Sequence, residues 1–275
     1  MAFSVNTNAG AFAALQNLNK TSNSLQTVQS RINTGEKVSS AKDDAATFAI
    51  AQKLRGDVAG LNAVKSSLDR ASSTVDVAIA AGEAVSDLLV ELKEKAVAAK
   101  DSGLDTASRT SLNNDFTQLR SQITSIVQNA EFNGTNVVNS GGSSVVAITN
   151  DTGTNVISIA AQDLSVSGTN VTLTSSQSIG TSTAAGSVVT AIESSIANVN
   201  DALSALGSGA KRIELQRGFV DKLSDSIEVG IGNLVDADLA KESANLQALQ
   251  VKQQLGLQAL SIANQAPSTV LGLFR

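Results

Sequence analysis

The chain ends in DADLAKESANLQALQVKQQLGLQALSIANQAPSTVLGLFR, which spans residues 236–275. Beyond Ser243 this stretch holds only two charges, Lys252 and Arg275. Its apolar residues form two stripes at helical spacing: Leu239, Leu246, Leu249, Leu260 and Ala263 in one, and Leu234, Ala237, Ala244, Ala248, Val251, Leu255 and Ile262 in the other. A helix that is apolar on two faces has to be covered from two sides. The pattern therefore predicts a terminal helix with more than one packing partner.

The first residues of the chain have the same character. Lys20 is the only charge within residues 2–30, and Leu18, Leu25 and Ile32 lie seven apart. The two ends can partly bury each other, and other copies of the chain are the simplest cover for the faces that remain. We therefore predict that nine apolar residues serve self-assembly: Leu18, Leu25, Ile32, Leu239, Leu246, Leu249, Leu255, Leu260 and Ile262.

The composition argues against several functions. The 275 residues include no Cys, His, Trp or Tyr, and the net charge is -5. Without Cys and His the chain lacks thiol nucleophiles, the commonest general base and the commonest transition-metal ligands. We expect no catalytic site, cofactor or metal. The negative charge argues against binding to nucleic acid, and no apolar run has the length of a membrane-spanning helix. Residues 1–21 show no cleaved secretory signal.

Heptad patterns predict long helices in the middle of the chain. Residues 45–100 carry two apolar registers with a spacing of seven residues. The first is interrupted by Gly82 and consists of Leu54, Leu61, Leu68, Val75, Leu89 and Ala96. The second is interrupted by Asp57 and consists of Ile50, Val64, Ala71, Ala78, Val85, Leu92 and Ala99. Two seams kept over this length predict coiled-coil-like packing in a helix of about 80 Å. A stripe from Leu112 to Ala130 predicts a second, antiparallel helix. Residues 188–234 predict a third, with glycines at 230 and 232 marking a break before Asp236.

Between these helices the sequence predicts a small β element. Residues 133–185 hold two charges and are rich in Val, Thr, Ser, Gly and Asn. Short alternating runs at residues 145–149, 155–159 and 170–173 are separated by turn residues and predict hairpins. The fold class predicted is therefore mainly α: a long antiparallel helical rod, a small β-hairpin element on it, and terminal helices paired as an inner coiled coil.

Four carboxylates flank the connectors that lead to the terminal helices. Asp43, Asp44, Asp236 and Asp238 each precede an apolar periodic segment. We interpret them as helix caps rather than as a metal or acid–base site. In the last helix, Pro267 predicts a kink or an end near Ala266.

Three motifs give the mirrored plan a family resemblance. They are SVNTN at residues 4–8 leading into AALQNL at 13–18; RINTG at 31–35 followed by SAKDDAA at 40–46; and DADLAKE at 236–242 continuing to ANQAP at 263–267 and LGLFR at 271–275. In this order, at the two ends, they resemble bacterial flagellin over residues 1–135 and 188–275.

The resemblance implies a layout, a function and a set of partners. Residues 1–40 and 236–275 would form an inner terminal domain, residues 41–135 and 186–235 a helical rod, and residues 136–185 a short variable segment. The implied function is that of a subunit of the extracellular flagellar filament, exported by the type III route without a cleaved signal. The implied partners are other copies of the chain, an export chaperone, a filament cap and hook-junction proteins.

Two alternatives to a filament subunit remain open. A hook–filament junction protein has similar terminal helices, and the short middle and the LGLFR ending favour the filament subunit over it. A surface-displayed adhesin needs an exposed polar-aromatic patch, and the chain has no Trp or Tyr with which to build one.

Overall fold

The computed structural model describes residues 7–272, with side chains described as far as residue 265. This part of the chain forms five helices and four short strands: α1 (Ala9–Thr34), α2 (Ala45–Lys100), α3 (Thr106–Asn129), β1 (Glu131–Phe132), β2 (Thr135–Asn136), β3 (Val145–Ile148), β4 (Val156–Ile159), α4 (Ser182–Val235) and α5 (Leu239–Gly272). The predicted mainly α class, with paired long helices and a small hairpin element, is confirmed. The sequence pattern predicts the first helix over residues 1–32; the structure begins it at Ala9, and residues 1–6 lie outside the described residues.

The chain divides into two compact units. One is built from the two ends of the chain, as far as Gly56 and from Ser226 onward; the other is Asp57–Asp225. The second unit holds most of α2 and α4, all of α3 and all four strands. It therefore contains most of the residues that carry the heptad patterns.

In the unit Asp57–Asp225, α2 and α4 run antiparallel in a constant register. Lys65 Nζ lies 2.6 Å from Asp221 Oδ1, and Lys93 Nζ lies 2.9 Å from Glu193 Oε1. As residue numbers rise along α2 they fall by the same amount along α4. The pairing continues to the end of α2, where the Ser182 hydroxyl donates to the Lys100 carbonyl at 2.7 Å.

Both predicted registers of α2 are buried in this unit, as is the single register of α4. The buried residues are Leu61, Val64, Leu68, Ala71, Val75, Ala78, Val85, Leu89, Leu92, Ala96 and Ala99 in α2, and Ile192, Val199, Leu206, Ile213 and Val220 in α4. Gly82 interrupts the first register at a close contact: a Cβ at Gly82 would lie 2.7 Å from Leu203 Cδ2, so Leu203 would have to shift to admit a side chain. The heptads therefore bury a continuous seam between the helices.

Two β-hairpins follow α3. The tight turn at Asn133 and Gly134, with φ of 51° and 79°, joins β1 to β2 in a hairpin that the sequence pattern did not predict. Strands β3 and β4 pair antiparallel, which confirms the runs at 145–149 and 155–159. The β3–β4 hairpin lies on the helices: the Ile148 N–H donates to Ser67 Oγ at 3.2 Å, and Gln216 Nε2 donates to the Thr149 carbonyl at 3.2 Å.

The third predicted strand, residues 170–173, is wrong. This segment makes one isolated bridge, from Val171 to Val166, and Asn170 and Leu173 hydrogen-bond to the backbone of Asp163 and Ser167. Thr172 bonds to α4: its N–H donates to Ser195 Oγ at 3.0 Å, and its hydroxyl donates to the Ala191 carbonyl at 3.1 Å. Ser195 thus satisfies a backbone N–H that a strand partner would otherwise pair.

Two predicted helix interruptions differ in detail. Helix α4 passes through Gly230 and Gly232 and ends at Val235, so the predicted break before Asp236 is confirmed but lies beyond the glycines. Helix α5 passes Pro267 and ends at Gly272, so the predicted end near Ala266 is wrong, and the alternative of a kink stays a prediction. A glycine in a helix interior costs about 1 kcal/mol, which a long packed helix absorbs. A proline removes one backbone hydrogen bond, which weakens a helix without necessarily ending it.

Candidate assembly surface

Helices α1 and α5 pack against each other antiparallel in the unit formed by the chain ends. At one end of the pair Asn8 Nδ2 donates to the Ala263 carbonyl at 2.6 Å. In the middle a Cβ at Gly256 would lie 3.3 Å from Leu18 Cδ1, so the leucine packs against the glycine backbone. At the other end Arg31 Nη1 lies 3.2 Å from Glu242 Oε1. The pair thus has a defined register over most of its length.

Local sequence signals set the limits of α1. The Asn8 side chain accepts a hydrogen bond from the Ala11 N–H at 3.0 Å, which caps the free amides of the first turn. At the other end Gly35 has a φ of 75° and its N–H donates to the Arg31 carbonyl at 2.9 Å. A left-handed residue after a helix is most favourable as glycine. Helix α1 therefore ends at Thr34.

The ion pair between Arg31 and Glu242 is the most buried charged contact of this surface. Glu242 is only 8% exposed, and its Oε2 atom and Arg31 Nε are buried without a hydrogen-bond partner in the described part of the chain. Removing Arg31 would leave the largely buried Glu242 carboxylate without a partner, which is unfavourable. A shift of α1 along α5 would separate the two groups, so the pair favours one register.

The two connectors that precede α2 and α5 are joined to each other. The Lys37 N–H donates to the Val235 carbonyl at 2.7 Å, and the Ala237 N–H donates to the Gly35 carbonyl at 2.8 Å. Glu36 and Asp236 form an isolated antiparallel bridge at the same place. Below it lies a small apolar cluster: Val38, Ala51 and Val235, with Phe48, Ile231 and Leu234 packed against them. The cluster and the bridge hold the two ends of the chain together.

The four connector carboxylates do different things. Asp44 Oδ1 accepts from the N–H groups of Ala46 and Thr47 at 3.0 and 3.1 Å, at the start of α2. Asp238 Oδ1 accepts from the N–H groups of Ala240 and Lys241 at the start of α5, both at 3.1 Å. The hydroxyl and N–H of Thr47 lower the pKa of Asp44, because they stabilise the ionised carboxylate.

The other two carboxylates lie elsewhere. Asp43 accepts from the backbone and the hydroxyl groups of Ser39 and Ser40 within the connector, and the Ser40 hydrogen bonds lower its pKa. Asp236 follows the last residue of α4, and its N–H donates to the Gly232 carbonyl at 2.8 Å. The sequence alone did not distinguish these roles, because the pair Asp43 and Asp44 and the pair Asp236 and Asp238 both precede a helix.

The structure divides the nine predicted assembly residues into two groups. Six are half-buried: Leu18, Leu25, Ile32, Leu246, Leu249 and Leu260. Three are exposed, namely Leu239, Leu255 and Ile262, at 50%, 57% and 69%. Four further large apolar residues of α1 and α5 that are not among the nine are also exposed: Phe12, Leu15, Val251 and Leu257. Phe12 and Leu15, three apart, lie outside the seven-residue spacing on which the prediction was based.

The arrangement defines a class of protein. Residues 7–272 contain no cluster of three or more acidic side chains fit to hold a metal, and no helix in that range is long and apolar enough to cross a membrane. What the terminal unit offers is two paired helices with further apolar side chains on their exposed faces. Such an arrangement is typical of a structural subunit that associates through helices.

Comparison with known proteins gives this class a family. Residues 5–142 match the model of the bacterial flagellin N-terminal helical region, and residues 189–274 match that of the bacterial flagellin C-terminal helical region. Flagellin FljK of Caulobacter vibrioides is 48% identical over 272 residues, which cover 99% of this chain and 98% of the relative. The flagellin of Brucella melitensis is 35% identical, with 99% of each chain covered.

The chain belongs to the bacterial flagellin family. It is a structural protein that polymerises into the extracellular flagellar filament, which serves motility. The alternative of a hook–filament junction protein is not favoured, because these relatives match over nearly the whole chain and are flagellins.

Two solved structures share the fold. Bacillus cereus flagellin has a TM-score of 0.50 at 19% identity, covering 56% of this chain and 88% of that one. A putative flagellar hook-associated protein from Vibrio parahaemolyticus has a TM-score of 0.58 at 13% identity, covering 70% of this chain and 100% of that one. At these identities the likeness concerns the helical fold alone.

Proposed function

We propose that the exposed apolar face of α1 and α5 is the surface through which copies of this flagellin polymerise. The observation that carries the proposal is the exposure of Phe12, Leu255 and Ile262, at 67%, 57% and 69%, on helices whose other faces already pack together. Contiguous exposed apolar surface marks interaction sites. The half-buried leucines, such as Leu18 and Leu249, hold the two helices of one chain together, whereas the exposed residues contact neighbouring copies.

The proposal includes a division of the chain by task. Residues 1–40 and 236–275 form the inner domain that polymerises, residues 41–135 and 186–235 form the helical rod, and residues 136–185 form the variable segment on the rod. Support comes from the exposed apolar side chains, which are numerous on α1 and α5, and from the hydrogen bonds that fix the β3–β4 hairpin to helices.

The same surface implies partners outside the polymer. Before assembly, an apolar face of this kind needs cover against non-specific association. We infer that an export chaperone covers it, that the chain leaves by the type III route without a cleaved signal, and that the filament cap and hook-junction proteins contact it at the filament ends. We also infer that the chain has no catalytic role, since it has no His or Cys to act as base or nucleophile.

Salt-induced assembly followed by electron microscopy tests the proposed surface. Leu255→Asp places a charge on the exposed face of α5 and should abolish filaments, because a neighbouring copy would bury an unpaired carboxylate. Gln254→Asp is the matched control, since it adds the same charge at an exposed polar position one residue away. Before salt is added, circular dichroism of both monomeric variants should show the helix content of the unmodified monomer. Normal filaments from Leu255→Asp would refute the surface.

A further inference from the structure

Helix α4 carries a stripe of exposed residues that its own chain leaves uncovered. The stripe consists of Ser208, Arg212, Leu215, Phe219 and Lys222, which alternate in steps of four and three. Leu215 is 64% exposed and Phe219 is 58% exposed. This spacing is that of a coiled-coil seam. Helix α4 therefore has a second seam besides the one that it buries against α2, and this one holds two large apolar side chains between two cations.

Helix α2 carries a stripe of the opposite charge. Glu83, Asp87, Val90, Glu94 and Val97 alternate in the same steps of four and three, and all are exposed. Val90 is 57% exposed and Val97 is 51% exposed. The acidic stripe thus also has apolar side chains at seam positions. Single exposed valines are ordinary, but a charged stripe with apolar members at heptad spacing is typical of a helix-to-helix contact.

The two stripes do not meet within one chain. The ion pairs Lys65–Asp221 and Lys93–Glu193 fix the register of α2 against α4, so the basic stripe lies beside α2 residues 64–78 and not beside residues 83–97. The cations of the basic stripe are also available. Lys211, next to the stripe, forms an ion pair with Glu214 of the same helix at 2.7 Å. Arg212 and Lys222 are exposed and belong to none of the ion pairs described in this unit.

We propose that the basic stripe of α4 in one copy packs antiparallel against the acidic stripe of α2 in a neighbouring copy. The proposal rests on the proposed function, that is, on polymerisation of this chain. One register pairs all five layers: Ser208 with Val97, Arg212 with Glu94, Leu215 with Val90, Phe219 with Asp87, and Lys222 with Glu83. Both cations then face carboxylates and the central layer is apolar.

A second copy is the occupant that the charges favour. An open helical polymer needs two different, mutually complementary patches on each subunit, because a patch that pairs only with itself closes a dimer. The chain carries such a pair of patches within the unit Asp57–Asp225. For two parallel copies the register requires a displacement of about 19 residues along the helices, or about 28 Å. Electrostatic complementarity of this kind fixes register and rejects wrong pairings.

Engineered cysteines test the contact directly, because the chain has no cysteine of its own. Filaments of the double variant Leu215→Cys/Val90→Cys, oxidised after assembly, should give a ladder of cross-linked oligomers on a denaturing gel. Each single variant should give none. The control Leu215→Cys/Asp76→Cys uses an exposed residue 14 positions from Val90, about 21 Å along α2, and should give none either.

The outcomes distinguish this contact from the proposed function. Failure of the unmodified chain to form filaments would refute the proposed function. Normal filaments without a ladder from Leu215→Cys/Val90→Cys would refute the contact alone, as would an equal ladder from the Asp76 control.

Charge reversal supplies a second readout. Arg212→Glu/Lys222→Glu should raise the critical concentration for assembly by roughly tenfold or more, since like charges then face each other. Adding Glu83→Lys/Glu94→Lys to the same chain should restore it, because the pairs are re-formed with opposite polarity. Asp115→Lys on the exposed side of α3 is the control and should leave assembly unchanged. A loss that the compensating pair does not restore would contradict the register, as would unchanged assembly of the first variant.

Discussion

The carboxylate of Asp105 fixes the residue at which helix α3 begins. Its Oδ1 atom accepts from the Ser108 N–H at 2.6 Å, and its Oδ2 atom accepts from the Ser108 hydroxyl at 3.1 Å. These bonds lower the pKa of Asp105 because they favour the ionised form, and the bond from the backbone N–H has the larger effect. A pKa lower in the folded state than in the unfolded state stabilises the fold above the unfolded pKa. That contribution is lost as the pH falls through the folded-state pKa.

We predict that Asp105→Ala lowers the thermal midpoint of unfolding at pH 7, because the first turn of α3 loses its cap. The difference from the unmodified chain should begin to shrink as the pH falls below about 4, the pKa of the unfolded carboxylate, and should be lost as the pH falls through the lower pKa of the folded one. Thermal melts followed by circular dichroism at a series of pH values measure this. Asp115→Ala, at an exposed position within the same helix, is the control. A pH-independent difference for Asp105→Ala would contradict the ionic origin of the effect.

At the scale of elements, two glycines show how the β3–β4 hairpin is fixed to the helices. A Cβ at Gly209 in α4 would lie 2.6 Å from Ile159 Cδ1, and a Cβ at Gly60 in α2 would lie 3.0 Å from Asp151 Cβ. Both helices thus approach the hairpin at a residue without a side chain. Gly207, two residues away in α4, has nothing within 4 Å of its Cβ position. Only one of these neighbouring glycines is therefore required for packing.

The two neighbouring glycines make a matched pair of substitutions. Gly209→Ala should destabilise the chain by about 1–3 kcal/mol, because the new methyl group displaces Ile159 from a packed site. Gly207→Ala should stabilise it by roughly 0.5–1 kcal/mol, because alanine favours the helix and meets no neighbour. Urea unfolding followed by circular dichroism measures both. Equal effects of the two substitutions would show that the hairpin does not depend on close approach at Gly209.

The elements differ in how far the sequence predicted them. The seams of α2 and α4 were predictable because apolar residues recur at a spacing of seven along both helices. The structure buries these residues together. The segment around Thr172 was not, because alternation in so short a run does not reveal that Ser195 of α4 takes the place of a strand partner. The turn at Asn133 and Gly134 carried a hairpin signal in sequence, but the flanking strands are only two residues long.

For the whole molecule, the sequence predicted that the terminal helices have two apolar faces but not which face lies inside the chain. The two stripes of α5 have similar apolar content and spacing, so periodicity alone does not rank them. Two contacts between α1 and α5 show which face lies inside the chain: Leu18 packs against Gly256, and Asn8 hydrogen-bonds to Ala263. Leu249 is consequently half-buried and Leu255 exposed. The assembly role of the exposed face stays a prediction until filaments of the Leu255→Asp variant are sought.

The terminal pair has very little core of its own. Among the described side chains of α1 and α5, only Val28 and Glu242 are buried, whereas the unit Asp57–Asp225 buries both seams of α2. Ordering a residue costs about 1–2 kcal/mol of backbone entropy. With so few buried apolar groups, the pair has little to offset that cost in a free chain. Neighbouring copies supply the missing burial, so folding of the ends and assembly are coupled.

We therefore predict that α1 and α5 are weakly ordered in the monomer and become stably helical in the filament. Brief proteolysis of monomer, kept monomeric by Leu255→Asp, should trim both ends to a core of about residues 40–235, because exposed segments of low local stability are cut first. Filaments of the unmodified chain should resist. Amide hydrogen exchange gives the sharper measurement: residues 246–263 should exchange quickly in monomer and slowly in filament, while α2 residues 61–99 stay protected in both. Strong protection across residues 246–263 in verified monomer would show that the terminal pair is stable alone, and the coupling of folding to assembly would then be wrong.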